Sequence, residues 1–171
     1  MRPLAFFAPA AAVIALASAA QAQAPVQAPN VTVTVGAKLQ EQVEELGPRE
    51  VRDQADRLAE RVREALARRN DLNGTAVNLV LTDLKPNRPT LQQLTDRPSL
   101  DRIRSVSIGG AAVKGEIVTA DGRNLPFEYD RFNSSLADVY GFSTWWEADR
   151  VSTAWRARSP KATSSSGLVR A

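Results

Sequence analysis

The chain has 171 residues, with 22 Lys and Arg against 19 Asp and Glu, no Cys and no His. Without Cys, thiol catalysis, thiolate-bound metals and a lipid anchor on an N-terminal cysteine are excluded; without His, the commonest metal ligand and general base are absent. Most Arg side chains are interleaved with acidic ones, which argues against a nucleic-acid partner.

The N-terminal segment predicts export. An arginine supplies a positive charge, residues 4–20 are apolar, and two overlapping A-Q-A motifs follow. This pattern predicts a secretory signal over residues 1–22, with cleavage after Ala22 or, alternatively, Ala24, and a short linker over residues 23–29. The apolar run is shorter than a membrane span, so a cleaved signal is favoured over an anchor and no integral membrane segment is expected. A cysteine-free chain of this kind predicts a periplasmic or secreted bacterial protein.

The first elements of the mature chain are a strand and a long helix. Residues 30–35 (NVTVTV) alternate Val with Thr, which predicts a strand with its Val side chains inward. Residues 37–46 fit either a helix or an irregular extension of the strand. The clearest helix begins at Gly47-Pro48 and ends at residues 70–74 (NDLNG). Apolar residues at steps of three and four form its predicted buried stripe, namely Val51, Ala55, Leu58, Val62 and Leu66.

Three further strands are predicted. Residues 76–83 form an apolar run typical of a central strand. Residues 105–119 predict a long strand with a glycine kink or bulge at residues 109–110. A hairpin turn at residues 121–122 leads to a return strand, which Pro126 places at a sheet edge or a bulge.

The last helix is predicted to open with a capping box from Thr144 to Glu147 and to end at a Ser-Pro pair. Trp145 and Trp155 fall on its buried face, whereas Trp146 is expected to point elsewhere. An exposed aromatic ring here is suited to stacking on a sugar or anchoring a protein. The predicted ligand contacts are Tyr140, Trp146 and Arg150.

The order β-α-β-β-β-α predicts one α+β domain over residues 30–158, with a four-stranded, mainly antiparallel sheet and two helices packed on one face. Residues 159–171 predict a disordered, basic and Ser-rich tail. The cations of this tail allow a weak contact with an anionic surface.

The connection over residues 84–104 is the first candidate for a functional segment. It is long for a small domain and contains three prolines, and connections of this length are often functional. Thr90 and Ser99 each predict the cap of a short helical turn. The predicted partner contacts are Pro86, Arg88, Leu91 and Leu94.

The carboxylates offer no catalytic pattern. Glu128 and Asp130 alternate on a strand, and Glu147 and Asp149 are predicted as charges at a helix N-terminus. A glycosidase needs two carboxylates on opposite sides of a groove, which these spacings do not indicate. No catalytic, cofactor-binding or metal-binding residue is predicted, and the chain is expected not to be an enzyme.

Several segments carry a resemblance to known families. These are VNLVLTDLKPNRP at residues 77–89, the SIGGA and KGEIV-x-ADGR hairpin, the GPREV helix start and the final Trp-containing helix. Together they resemble uncharacterised bacterial periplasmic proteins and lipoproteins of the domain-of-unknown-function type, over residues 30–158. The resemblance implies a small α+β envelope domain and no catalytic residues. The missing N-terminal cysteine distinguishes this chain from the lipoprotein members.

Two hypotheses of function follow from the sequence. The first is a non-enzymatic accessory or protein-interaction domain of the cell envelope, which contacts an envelope protein through residues 84–104 or a sheet edge. The alternative is a module that binds a glycan or small molecule through the aromatic cluster. A third hypothesis, a carboxylate-dependent hydrolase, has the least support in the sequence.

Overall fold

A computed structural model describes residues 30–69 and 74–158. For residues 155–158 it describes the backbone alone. The predicted signal (1–22), linker (23–29) and tail (159–171) lie outside the described residues. The strands are β1 (Asn30–Val35), β2 (Ala76–Lys85), β3 (Gly110–Val118) and β4 (Asn124–Phe132). The helices are α1 (Ala37–Gln40), α2 (Val43–Leu46), α3 (Pro48–Ala67), α4 (Leu91–Asp96) and α5 (Trp146–Arg158).

The described chain is an α+β structure with one four-stranded sheet in the order β1-β2-β3-β4. β1 runs parallel to β2, whereas the β2–β3 and β3–β4 pairs are antiparallel. The prediction of a mainly antiparallel sheet is therefore wrong, and the sheet is mixed. The reason is α3, because a 20-residue helix returns the chain to the end where β1 began, so that β2 runs in the same direction.

The predicted count of two helices is also wrong, because the described residues contain five. α1 and α2, of four residues each, lie within residues 37–46. The sequence allowed either a helix or an irregular extension of the strand there, and the structure has helices. α4 lies within the connection 84–104. The two long helices, α3 and α5, contact each other and the sheet.

The core lies between the sheet and the helices α3 and α5. The stripe predicted for α3 is confirmed, because all five of its residues are buried. Alternate side chains of β2 and β3 face it, among them Val77, Leu79, Val113 and Ile117. Full burial of one such side chain contributes about 1.5–3 kcal/mol to folding.

β3 begins at Gly110 rather than at residue 105, and the register irregularity lies in β2 between Leu81 and Asp83. The prediction of a kink or bulge within a longer β3 is therefore wrong. Gly110 has φ +153°, and a Cβ on it would come within 2.2 Å of the Arg131 carbonyl oxygen. The glycine thus permits the close approach of β3 and β4.

The predicted hairpin between β3 and β4 is confirmed. Gly122 in its turn has φ +81°, a conformation that glycine adopts without strain. β4 is an edge strand of the described sheet, as Pro126 predicted.

The two ends of the sheet carry different connections. At one end, Asn30 of β1 lies beside the start of β2, and the described chain begins there. At the other end, β2 stops at Lys85 and β3 starts at Gly110. Residues 86–109 and residues 133–146 connect the elements at this second end. We call these two segments together the loop end.

Candidate functional site

The exposed apolar side chains of the described residues are concentrated at the loop end. Eight large hydrophobic residues are exposed, and every one belongs to the loop end. They are Leu91, Ile103, Val106, Ile108, Leu136, Tyr140, Phe142 and Trp146. Phe142 is the most exposed, at 77%. Single exposed hydrophobic residues are ordinary, whereas large contiguous patches of them are typical of interaction sites.

A buried polar network lies beneath this surface. Asn87 is 1% exposed and donates from Nδ2 to Oδ1 of Asn133 (2.6 Å) and to the Ser107 carbonyl oxygen (3.3 Å). Asn133 donates in turn to the Glu147 carboxylate (3.3 Å), which also accepts from the Arg131 guanidinium. One cluster of hydrogen bonds therefore includes residues from both segments of the loop end, from β4 and from α5.

Asn87 also takes the role predicted for the capping box of the last helix. Its Oδ1 accepts from the N–H of Glu147 (2.9 Å), and its own N–H donates to the Thr144 carbonyl oxygen (2.7 Å). The predicted Thr144–Glu147 box is wrong, because the Glu147 side chain joins the buried network. Gly109 makes room for this arrangement, since a Cβ there would lie 2.4 Å from Cγ of Asn87.

Arg88, predicted as a partner contact, is instead buried at 8% exposure. Its guanidinium donates to the carbonyl oxygens of Ile103 and Gly141, the latter at 3.1 Å. It also lies 5.6 Å from the centre of the Phe142 ring, within the range of a cation–π contact. Arg88 therefore supports the loop end from inside and holds its two segments together.

Glu50, in the first turn of α3, ties the loop end to the helices. Its carboxylate accepts from the Leu91 N–H (2.8 Å) and from the Trp145 indole N–H (3.0 Å). The predicted cap at Thr90 is confirmed, since its hydroxyl accepts from the Gln93 N–H (3.1 Å) at the start of α4. The start of α4 is thus fixed by two side chains.

The second helical turn predicted in this connection is present, since the Ser105 N–H donates to the Asp101 carbonyl oxygen (3.0 Å), but its predicted cap, Ser99, is wrong. Asp101 instead caps this turn, because its Oδ1 accepts from the N–H groups of Ile103 and Arg104, both at 2.7 Å. The N–H of Arg104, followed by that of Ile103, lowers the pKa of the Asp101 carboxyl, since both stabilise its charged form. The turn leaves Ile103 exposed.

Two grooves at the loop end share Pro89 as a wall. The aromatic groove has a volume of about 270 Å³ and is lined by Leu91, Phe142 and Trp145 together with Glu50, Arg57 and Arg102. The basic groove has a volume of about 330 Å³ and is lined by residues 105–108, Lys85, Pro86, Gln93, Arg97 and Leu100.

The predicted contact residues are distributed over these features rather than gathered into one site. Pro86 lines the basic groove, Leu91 lines the aromatic groove, and Leu94 is partly buried. Tyr140 is exposed. The Arg150 guanidinium lies 3.8 Å from the Glu147 carboxylate, so Arg150 lies at the edge of the buried network.

Trp146 is partly exposed, at 38%, but its ring is not a free platform. Gly141 lies against it, and a Cβ on Gly141 would be 3.3 Å from the indole Cε3. Gly141 also has φ +80°, so a glycine suits both its conformation and this contact. The glycine backbone therefore covers part of the ring that the sequence suggested for stacking.

The buried network that joins Asn87, Asn133 and Glu147 was not predicted from the sequence. Asn87 and Asn133 are 46 residues apart, and Asn87 and Glu147 are 60 apart. No local motif connects residues at such distances. The one available cue was Asn87 itself, a polar residue in a Pro-containing connection, where side chains commonly bond to backbone groups.

The carboxylates of Glu128, Asp149 and Glu147 are each paired with a cation. Glu128 binds Lys114 (2.8 Å), and Asp149 binds an arginine of α3 (3.1 Å). Glu147, predicted as a helix-terminal charge, is 3% exposed, and its hydrogen bond raises the pKa of the Arg131 guanidinium. Within the ranges that the structure describes, no group of three or more acidic side chains could hold a metal ion.

Comparison of the sequence with protein-family models and with curated proteins finds no match. None of the helices in the described ranges has the length and hydropathy that a membrane crossing requires.

Proposed function

We propose that the chain is an exported, non-enzymatic protein-interaction domain of the bacterial cell envelope, which binds a partner protein through the loop end. One observation carries this proposal: all eight exposed large hydrophobic side chains of the described residues lie there. Charged side chains line both grooves beside them. Apolar groups within a polar rim are typical of specific protein interfaces.

The support beneath the loop end also favours a binding role. Arg88 joins residues 86–109 to residues 133–146, and Asn87 joins both to α5. A surface held in one arrangement loses less conformational entropy on binding, where each immobilised side chain costs about 0.5–1.5 kcal/mol.

The sheet edges, the other docking route considered from the sequence, are less suited to a partner. β4 contains Pro126, which has no N–H to donate to an added strand. On β1, the Val31 carbonyl oxygen already accepts from the Arg63 guanidinium (3.3 Å). Proline and charged side chains at sheet edges oppose strand addition. We therefore place the partner at the loop end.

Site-specific photo-crosslinking in the native envelope tests this proposal. A photoreactive amino acid replaces Leu91 in one full-length variant and Phe142 in another, and crosslinked products are identified by mass spectrometry. We expect the same partner protein from both positions. The matched control is Ala120, which is exposed in the hairpin at the opposite end of the sheet. No partner from either loop-end position, or the same products from Ala120, would contradict the proposal.

Glycan binding is a second candidate, favoured by the exposed rings of Tyr140 and Phe142. A sugar ring stacks on such a surface, and Trp145 in the aromatic groove supplies a fluorescent reporter. Cell-wall fragments would then shift the tryptophan emission, and Phe142→Ala would abolish the shift. Leu136→Ala is the control, because Leu136 is also exposed but lies outside both grooves. An emission spectrum that cell-wall fragments leave unchanged would remove this candidate.

A further inference from the structure

Residues 105–109 lead into β3 without a helix, turn or bend. Ser107 directs both backbone groups to Asn87: its N–H donates to the Asn87 carbonyl oxygen (3.1 Å), and its carbonyl oxygen accepts from Asn87 Nδ2 (3.3 Å). In an extended chain, the N–H and C=O of one residue point to the same side, as those of Ser107 do, and the groups of the residues before and after it point to the opposite side. Val106 and Ile108 therefore present their backbone groups away from Asn87.

The side that Val106 and Ile108 face has no neighbouring strand. Within the described part of the chain, neither residue makes a backbone hydrogen bond. β2 stops at Lys85, and Pro86 has no N–H with which to continue the ladder. The segment is thus a short strand edge with unpaired donors and acceptors, and the basic groove lies along it.

The basic groove combines apolar walls with positive charge. Two prolines and Leu100 line it, together with Lys85 and Arg97, and its lining contains no acidic residue. Lys85 lies 3.7 Å from Asp83, and Arg97 lies 2.9 Å from Glu45, in pairs whose cations are more than half exposed. Exposed pairs of this kind contribute little to stability, so either cation can turn to a new carboxylate.

We propose that the basic groove binds an extended peptide segment of the partner protein, with apolar side chains at alternate positions and at least one acidic side chain. The peptide backbone pairs with Val106 and Ile108 and continues the sheet in the place that β2 leaves. The peptide carboxylate pairs with Arg97, the more exposed of the two cations. This inference rests on the proposed function and specifies the chemistry of the partner.

A displayed library of random octapeptides, selected on the full-length protein, tests the chemistry of the groove. We expect the selected peptides to alternate apolar and acidic residues. Arg97→Glu should weaken their binding about ten-fold or more, the effect of losing one charge-assisted hydrogen bond. Arg102→Glu is the matched control, because it makes the same charge change in the aromatic groove and should leave binding unchanged. Selected peptides without acidic residues, or equal weakening by both variants, would overturn the inference.

Amide hydrogen exchange, followed by NMR with a selected peptide bound, tests the strand pairing. The N–H groups of Val106 and Ile108 should exchange at least about ten-fold more slowly in the complex, because pairing protects them from solvent. The same peptide with a central proline should give no such protection. Unchanged exchange at both amides would overturn the pairing.

Different results would refute the peptide-binding inference and the proposed function. If Leu91 and Phe142 crosslink to a partner but the selection yields no acidic peptide, the inference is wrong and the interaction function stands. If no protein is crosslinked at the loop end, the proposed function is wrong whatever the peptides do.

Discussion

Replacement of Asn87 by alanine removes the residue that joins α5 to both segments of the loop end. The side chain is 1% exposed and makes hydrogen bonds to Asn133, Ser107 and Glu147. Without it, the Glu147 N–H in the first turn of α5 is buried and has no acceptor. Asn133 loses its shortest side-chain hydrogen bond, and Ser107, which is exposed, exchanges its bond for water.

The magnitude follows from these three changes. An unsatisfied buried N–H costs about 1–3 kcal/mol, and the lost bond to Asn133 adds about 0.5–1.5 kcal/mol. The exchange at Ser107 adds little. We therefore expect Asn87→Ala to lower the free energy of unfolding by about 2–4 kcal/mol, a large part of the roughly 5–15 kcal/mol typical of a folded protein.

Urea unfolding, followed by tryptophan fluorescence and circular dichroism, measures this loss. Asn124→Ala is the matched control, since Asn124 is exposed and makes one side-chain bond, to Glu116 (2.7 Å). Its effect should stay within about 0.5 kcal/mol. The double variant Asn87→Ala/Asn133→Ala should lose less than the sum of the single variants, because the two residues share a bond. Equal effects of Asn87→Ala and Asn124→Ala, or strict additivity, would refute the network.

Three other changes test neighbouring features. Glu50→Ala should lower the free energy of unfolding by about 1–2 kcal/mol and shift the emission of Trp145, whose indole N–H loses its acceptor; an identical spectrum would disprove the contact. Gly110→Ala should lower the free energy of unfolding by more than about 2 kcal/mol, because its Cβ would meet a β4 carbonyl oxygen at 2.2 Å; an unchanged urea midpoint would contradict this. The pKa of Asp101 is lowered, mainly by the Arg104 N–H, so its turn contributes fully above the unfolded value of about 3.9 and less as the pH falls through the lower folded value. An NMR titration of this carboxyl that gives 3.9 or higher would refute the turn.

The elements that could be predicted are those whose evidence is local. The apolar stripe of α3 and the β3–β4 turn each depend on adjacent residues, and both are present. The alternation in residues 30–35 predicts a strand but not the direction of its neighbour. The parallel β1–β2 pair follows from the long helix between the two strands, which the prediction of a mainly antiparallel sheet did not take into account. The predicted start of β3 at residue 105 is five residues too early, because residues 105–109 lead into the strand without a turn but do not belong to it.

The functional role of residues 84–104 stays a prediction, and the contacts that build the loop end were not predicted. The length and prolines of residues 84–104 indicated a functional connection, and this connection lies in the loop end. Arg88 was predicted as a partner contact, whereas its side chain is buried. Its burial depends on carbonyl oxygens 15 and 53 residues away along the chain, which no sequence pattern specifies.

The bond from Glu147 to Asn87 bears on how the chain folds. The first N–H groups of a helix have no acceptor within it, and α5 receives one of its acceptors from a residue 60 positions earlier. Closing a loop of that length carries an entropic cost that slows the formation of such distant contacts. α5 is therefore completed together with residues 86–109 and not before them. A nascent chain that lacks its last helix has seven of the eight exposed hydrophobic residues of the loop end, but not yet the arrangement in which they are presented.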